Sequence, residues 1–108
     1  MSASSSGLEL LTREGEWLAV DAAPDTIIVD SGDMLARITN DVIPATTHRV
    51  VNPKGPNVAR YSMPFFMHPN PDAVLSCLPS CVGSGATYPD VLANDFLMER
   101  LRDIGLKK

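Results

Sequence analysis

Ala45–Met67 reads ATTHRVVNPKGPNVARYSMPFFM. Two runs rich in β-branched and aromatic residues flank the turn-forming NPKGPN, so the stretch predicts two strands joined by a loop. Side chains alternate across a strand, which places Thr46, His48 and Val50 on one face of the first and Thr47, Arg49 and Val51 on the other. On the second strand Arg60 and Ser62 share a face, opposite the nearly apolar row Ala59, Tyr61, Met63, Phe65 and Met67. Burying that row aims an arginine and a hydroxyl into whatever the other face encloses. An arginine so directed calls for an anion, because an unpaired buried charge is costly. A guanidinium fork grips a carboxylate through two parallel hydrogen bonds and a serine hydroxyl adds a third, a match that lysine would not reproduce. Strand geometry alone also fits blander roles: His48 as a hydrogen-bonded polar histidine, and Arg60 as a strand arginine with its head in water.

The order H-R-V, turn, R-Y-S resembles the iron- and 2-oxoglutarate-dependent oxygenases, in their isopenicillin-N-synthase-like branch. GLELL (7–11), IIVDSGDMLARITND (27–41), RYSMPFFMHPNPDAV (60–74) and YPDVLANDFLMERL (88–101) follow the same pattern in the same order. The resemblance implies that His48 binds Fe(II) and that Arg60 with Ser62 holds the distal carboxylate of 2-oxoglutarate. It also implies an oxidation of a small organic substrate driven by oxygen and by decarboxylation of the co-substrate. The family's iron site is a facial triad of two histidines and a carboxylate. Its first two ligands arrive as His-x-Asp shortly before the GLEL strand, where this chain has only MSASSS. Residues 7–108 therefore resemble the C-terminal part of such an oxygenase domain, expected to be inactive alone with one of three metal ligands. The alternative is a non-enzymatic β-module that binds a small carboxylate or a partner chain. A third reading has several copies of His48 build a different metal site in a homo-oligomer.

Composition agrees with one small domain: 108 residues, 44% hydrophobic and 20% charged. A net charge of −4 without basic clusters argues against nucleic acid or an anionic membrane as partner. No apolar run approaches the ~20 residues of a membrane-spanning helix, and the N-terminus does not read as a secretory signal, so cytoplasm is the expected location. Cys77 and Cys81 have only His68 nearby where a zinc site needs two further ligands, and read as ordinary thiols, with a disulfide or metal role as the lesser reading, while His68 reads as an exposed loop residue.

Met1–Ser6 is expected to be disordered. Leu8–Thr12 and Glu16–Val20 predict a hairpin turning at Gly15, with Trp17 on its apolar side. Thr26–Val29 reads as a buried strand, and Met34–Ile38 as a short strand or helical turn. Asp33, after a glycine in a turn, reads as a backbone-capping residue, with a substitute metal carboxylate as the lesser reading. Pro64 marks an edge, bulge or corner, and Tyr61, Phe65 and Phe66 read as packing residues. Ala73–Cys77 predicts a last short strand, and Asn94–Ile104 an amphipathic helix capped by Asn94 and stopped by Gly105. The fold class that follows is mainly β, most of a double-stranded β-helix or jelly-roll, with one C-terminal α-helix. Open strand edges predict homodimerisation or pairing with another chain.

Overall fold

The computed structural model describes residues 6–23, 25–52, 54–56 and 59–106. The expected disorder of Met1–Ser6 falls almost wholly outside these residues, as does part of the NPKGPN loop. The chain divides into two compact units, Met1–Asp30 with Thr46–Phe65, and Ser31–Ala45 with Phe66–Lys108.

The first unit is a three-stranded antiparallel sheet of β1 (Leu8–Leu11), β2 (Trp17–Ala19) and β3 (His48–Val50), with β1 in the centre. β1 and β2 form the expected hairpin, with Gly15 at φ +85°, where a residue bearing a Cβ is disfavoured. Pairing of Leu10 with both Leu18 and His48, and of Glu9 with Ala19 and Arg49, fixes the faces. One face carries Leu8, Leu10, Leu18, His48 and Val50; the other carries Glu9, Leu11, Trp17, Ala19 and Arg49. Gly7 adjoins this sheet at φ +128°, and a Cβ there would meet the Val51 carbonyl at 2.6 Å. Only glycine fits that approach.

The second unit contains α1 (Asp33–Ile38), β4 (Val74–Leu75), a 3₁₀ turn at Pro79–Cys81, β5 (Val91–Leu92) and α2 (Ala93–Asp103). β4 and β5 pair antiparallel. Leu75, Ala93 and Phe96 form the core, with Met34, Ile38 and Val91 packed around them. Leu75 and Phe96, each only 4% exposed, contribute about 1.5–3 kcal/mol apiece by leaving water. The buried Thr39 hydroxyl donates to the Leu35 carbonyl at 2.7 Å and accepts from the Ile43 amide at 3.2 Å, which closes the end of α1. α2 starts at Ala93 with Leu92 as its N-cap, in place of the expected Asn94, and turns out of the helix at Gly105 with φ +74°.

Three further expectations are corrected. Thr26–Val29 forms no strand, with Val29 90% exposed, because β-branched residues make a strand only beside a partner, and no ladder reaches this run among the described residues. The 59–67 run likewise joins no ladder among the described residues. Tyr61, Phe65 and Phe66 are therefore exposed rather than packed, Phe65 at 88%. Trp17 lies on the charged face of the hairpin, where the Arg49 guanidinium stacks 3.8 Å above its ring centre. The antiparallel strands and C-terminal helix follow the expected mainly β plan.

Candidate functional site

His48 occupies β3 on the apolar face of its sheet, a consequence of the Leu10–His48 pairing. Its Nδ1 lies 3.0 Å from the Thr46 carbonyl oxygen and 2.9 Å from Asp30 Oδ2. The pair is partly open to water, with side-chain exposures of 52% for His48 and 36% for Asp30. Nε2 has no partner among the described residues.

Arg49 faces away from His48, as strand alternation requires, and its Nε donates to Glu9 Oε2 at 2.7 Å. β3 thus presents an imidazole on one side and a neutralised cation on the other.

Arg60 and Ser62 lie side by side although their run is not a strand, with the Arg60 Nη1 donating to Ser62 Oγ at 3.5 Å. Arg60 Nε donates to the Ser6 carbonyl at 3.2 Å, which ties the guanidinium to the chain just before Gly7. A guanidinium carries five N–H donors. With Nε held by backbone, its terminal nitrogens and the neighbouring hydroxyl remain a donor set suited to a carboxylate.

Fit to an iron ion is narrower. No group of three or more His, Cys, Asp or Glu able to hold a metal occurs among the described residues. His48 is a chemically suitable ligand, and 2-oxoglutarate matches the donor set of Arg60 and Ser62, but a complete metal site is not assembled from these residues. Asp33 begins α1, where its carboxylate favours the positive end of the helix, and lies 3.8 Å from Arg100 Nε. The carboxylate beside His48 is Asp30, which sequence reasoning missed; its only sequence signal is its place at the end of the IIVD run.

A second cluster, in the other unit, also escaped sequence reasoning. A cavity of about 370 Å³ is lined by Asp33, Arg37, Asp41, Tyr88, Phe96 and Arg100, among others. Arg37 and Arg100 lie over the Phe96 ring at 5.2 and 5.1 Å. Arg37 Nη2 donates to the Pro89 carbonyl at 2.6 Å, and Arg100 Nη1 to Asp103 Oδ2 at 3.1 Å. The Tyr88 hydroxyl donates to Asp41 Oδ2 at 2.7 Å. That bond raises the Tyr88 pKa above the ordinary tyrosine value, since ionisation would break it and set two anions side by side. Arg37 Nε is buried without a hydrogen-bond partner among the described residues, but both guanidinium groups are stacked on Phe96 and bonded through a terminal nitrogen, so the cluster reads as packing between α1 and α2 rather than as a reactive centre. Cys77 and Cys81 are free and half-buried, and His68 is exposed beside Phe66. No helix among the described residues is long and apolar enough to cross a membrane.

Residues 1–69 match the model of the 2OG-Fe(II) oxygenase superfamily. The 2-oxoglutarate-Fe(II) type oxidoreductase hxnY of Emericella nidulans is 38% identical over 94 residues, covering 84% of this chain and 26% of that protein. A protein of the 2OG-Fe(II) oxygenase family from Caulobacter crescentus superposes with a TM-score of 0.84 at 41% identity, covering 92% of this chain and 34% of the other. A full-length Neurospora crassa protein in complex with alpha-KG and thymine superposes with a TM-score of 0.77 at 27% identity, over 92% of this chain and 31% of that one. The chain thus spans about a quarter to a third of the length of these relatives. Its strands and C-terminal helix are part of the jelly-roll that such oxygenases share. On the family match and these likenesses together, the chain belongs to the 2OG-Fe(II) oxygenase superfamily.

Proposed function

We propose that the chain contributes one iron ligand, His48, and the 2-oxoglutarate clamp, Arg60 with Ser62, to an Fe(II)- and 2-oxoglutarate-dependent dioxygenase acting on a small organic molecule. The observation that carries this reading is the juxtaposition of the Arg60 guanidinium and the Ser62 hydroxyl. Family membership supplies the identity of the carboxylate they would bind. In this reading the remaining metal ligands lie outside the described residues, and residues 7–108 act as the C-terminal part of one oxygenase domain. Iron, when bound, would supply the redox chemistry; the residues of this chain would orient the co-substrate and hold the metal from one side. The free thiols of Cys77 and Cys81 accord with a reducing, cytoplasmic setting.

The same proposal includes pairing of two copies through the outer edges of β2 and β3, which pair with no other strand among the described residues. An unpaired edge beside exposed apolar side chains favours strand addition, and Leu18 and Val50 on these strands are both more than half exposed.

Two titrations test the reading. Chemical shifts followed as 2-oxoglutarate is added should move at Arg60 and Ser62 and saturate. Arg60→Ala should weaken that binding about 10–100-fold, the worth of a charge-assisted pair of bonds. Binding that is unaffected by Arg60→Ala removes the clamp. In an anaerobic Fe(II) titration with 2-oxoglutarate present, the charge-transfer band of the chelate should be absent for this chain alone. A band saturating at about one iron per chain would show that the chain completes its own site, contrary to the proposal.

A further inference from the structure

We propose that Asp30 is the positioning residue for His48, holding the imidazole in the Nδ1–H tautomer so that Nε2 presents the lone pair to a metal. The inference rests on the reading of His48 as a ligand, but its geometry stands apart from any metal. Nδ1 faces two oxygens at hydrogen-bond distance, the Thr46 carbonyl at 3.0 Å and the Asp30 carboxylate at 2.9 Å. A carbonyl can only accept, and so can an ionised carboxylate. Nδ1 must therefore carry the proton, and in the neutral ring the free electron pair falls on Nε2. Metal-ligating histidines are commonly oriented in this way, the ring nitrogen away from the metal donating to a carboxylate or carbonyl.

Chain geometry explains how the two oxygens meet one nitrogen. Ser31 Oγ donates to the Pro44 carbonyl at 2.8 Å, which closes the base of the 31–45 excursion. Asp30 and Thr46 are the residues just outside its two ends, and both reach the ring from the first unit. The arrangement also argues against Asp30 and His48 chelating one ion through Oδ2 and Nδ1. Nδ1 is already hydrogen bonded to the Thr46 carbonyl at 3.0 Å, and a metal at Nδ1 would replace the proton that this bond uses. Asp30 therefore acts through His48 and is no ligand itself.

The chain has only two histidines, so long-range proton–nitrogen correlation spectra of the ¹⁵N-labelled protein assign both rings once a His68→Gln variant is compared. At about pH 8.5, above the ordinary imidazole range, His48 should be found predominantly as the Nδ1–H tautomer. Asp30→Ala should lower the ratio of Nδ1–H to Nε2–H about fivefold, as expected for loss of a partly exposed carboxylate 2.9 Å from Nδ1. Asp30→Asn, whose amide oxygen still accepts, should restore most of it. A native ring protonated mainly on Nε2 would overturn the proposal. So would an unchanged ratio in Asp30→Ala, which would leave the Thr46 carbonyl as the sole determinant. The measurement is free of metal and of 2-oxoglutarate, so 2-oxoglutarate binding that ignores Arg60→Ala would sink the functional reading and leave this one standing.

Discussion

Arg49 follows His48 in the sequence, yet the two side chains have opposite chemistry to do. Alternation sends Arg49 to the face shared with Glu9 and Trp17, where it makes one ion pair and one stack. Both are partly exposed, so each is worth only a fraction of its value in a dry interior. Arg49→Ala should therefore destabilise the chain by about 1 kcal/mol in denaturant titrations. It should also shift the emission of Trp17, the sole tryptophan, toward that of a fully hydrated indole. An unaltered emission spectrum would mean the stack does not persist in solution. Tyr88 offers a second test at this scale. Its hydroxyl bond to Asp41 favours the protonated phenol in the folded chain, so its folded pKa lies above the unfolded one. The stability this adds is complete below pH ~10 and fades as pH rises through the elevated folded value. In a Tyr61→Phe background Tyr88 is the only tyrosine, and its phenolate absorbance should develop above pH ~10. Adding Asp41→Asn should bring the transition down.

Asn40 shows how one residue holds several elements. It sits at φ +52°, just beyond α1, in the left-handed region that asparagine tolerates better than most residues. Its amide nitrogen donates to the Cys81 and Gly85 carbonyls at 3.2 Å each, and its oxygen accepts from the Thr87 amide at 2.7 Å. The loop after the 3₁₀ turn is thus tied to the end of α1. Asn40→Ala removes these bonds and strains the backbone, so thermal or chemical unfolding should register a loss of about 2–4 kcal/mol. Asn40→Gly keeps the backbone conformation and should lose about 1 kcal/mol less; equal losses would assign the whole effect to the side-chain bonds. An asparagine after a helical run suits a turn, but nothing local says what it binds, since partners more than forty residues away leave no local pattern. The same limit separates the elements that were legible from those that were not. The β1–β2 hairpin, α2 and the Gly105 stop are written in local spacing and turn residues. Thr26–Val29 and 59–67 carry equally strong β-branched or aromatic signals, but a strand is a pairing, and their composition could not say whether a partner would be there. Arg60 and Ser62 were legible as a pair because they lie two residues apart on one extended run. Asp30 was not, because its approach to His48 depends on how the 31–45 excursion closes.

Burial is divided unevenly between the two units of the molecule. Every buried residue, from Ala36 and Thr39 to Leu75, Ala93 and Phe96, belongs to the unit formed by Ser31–Ala45 and Phe66–Lys108, among the described residues. The sheet that carries His48 has none, and the exposed Ile27, Val29, Tyr61 and Phe65 belong to the same unit. Stability follows buried apolar area, so local opening should be cheaper in that sheet than in α2. Backbone amide exchange on a dilute sample should therefore find β1 and β3 poorly protected while the amides of α2 in residues 97–103 exchange slowly. If two copies pair through the edges of β2 and β3, raising the concentration should slow exchange in those strands and leave α2 unchanged. Sedimentation should detect the dimer over the same range. Strong protection of β1–β3 in a sample that stays monomeric would refute both the uneven stability and the edge pairing. Protection that rises with concentration in α2 instead would move the interface to the other unit, and with it the reason for the apolar surface beside His48.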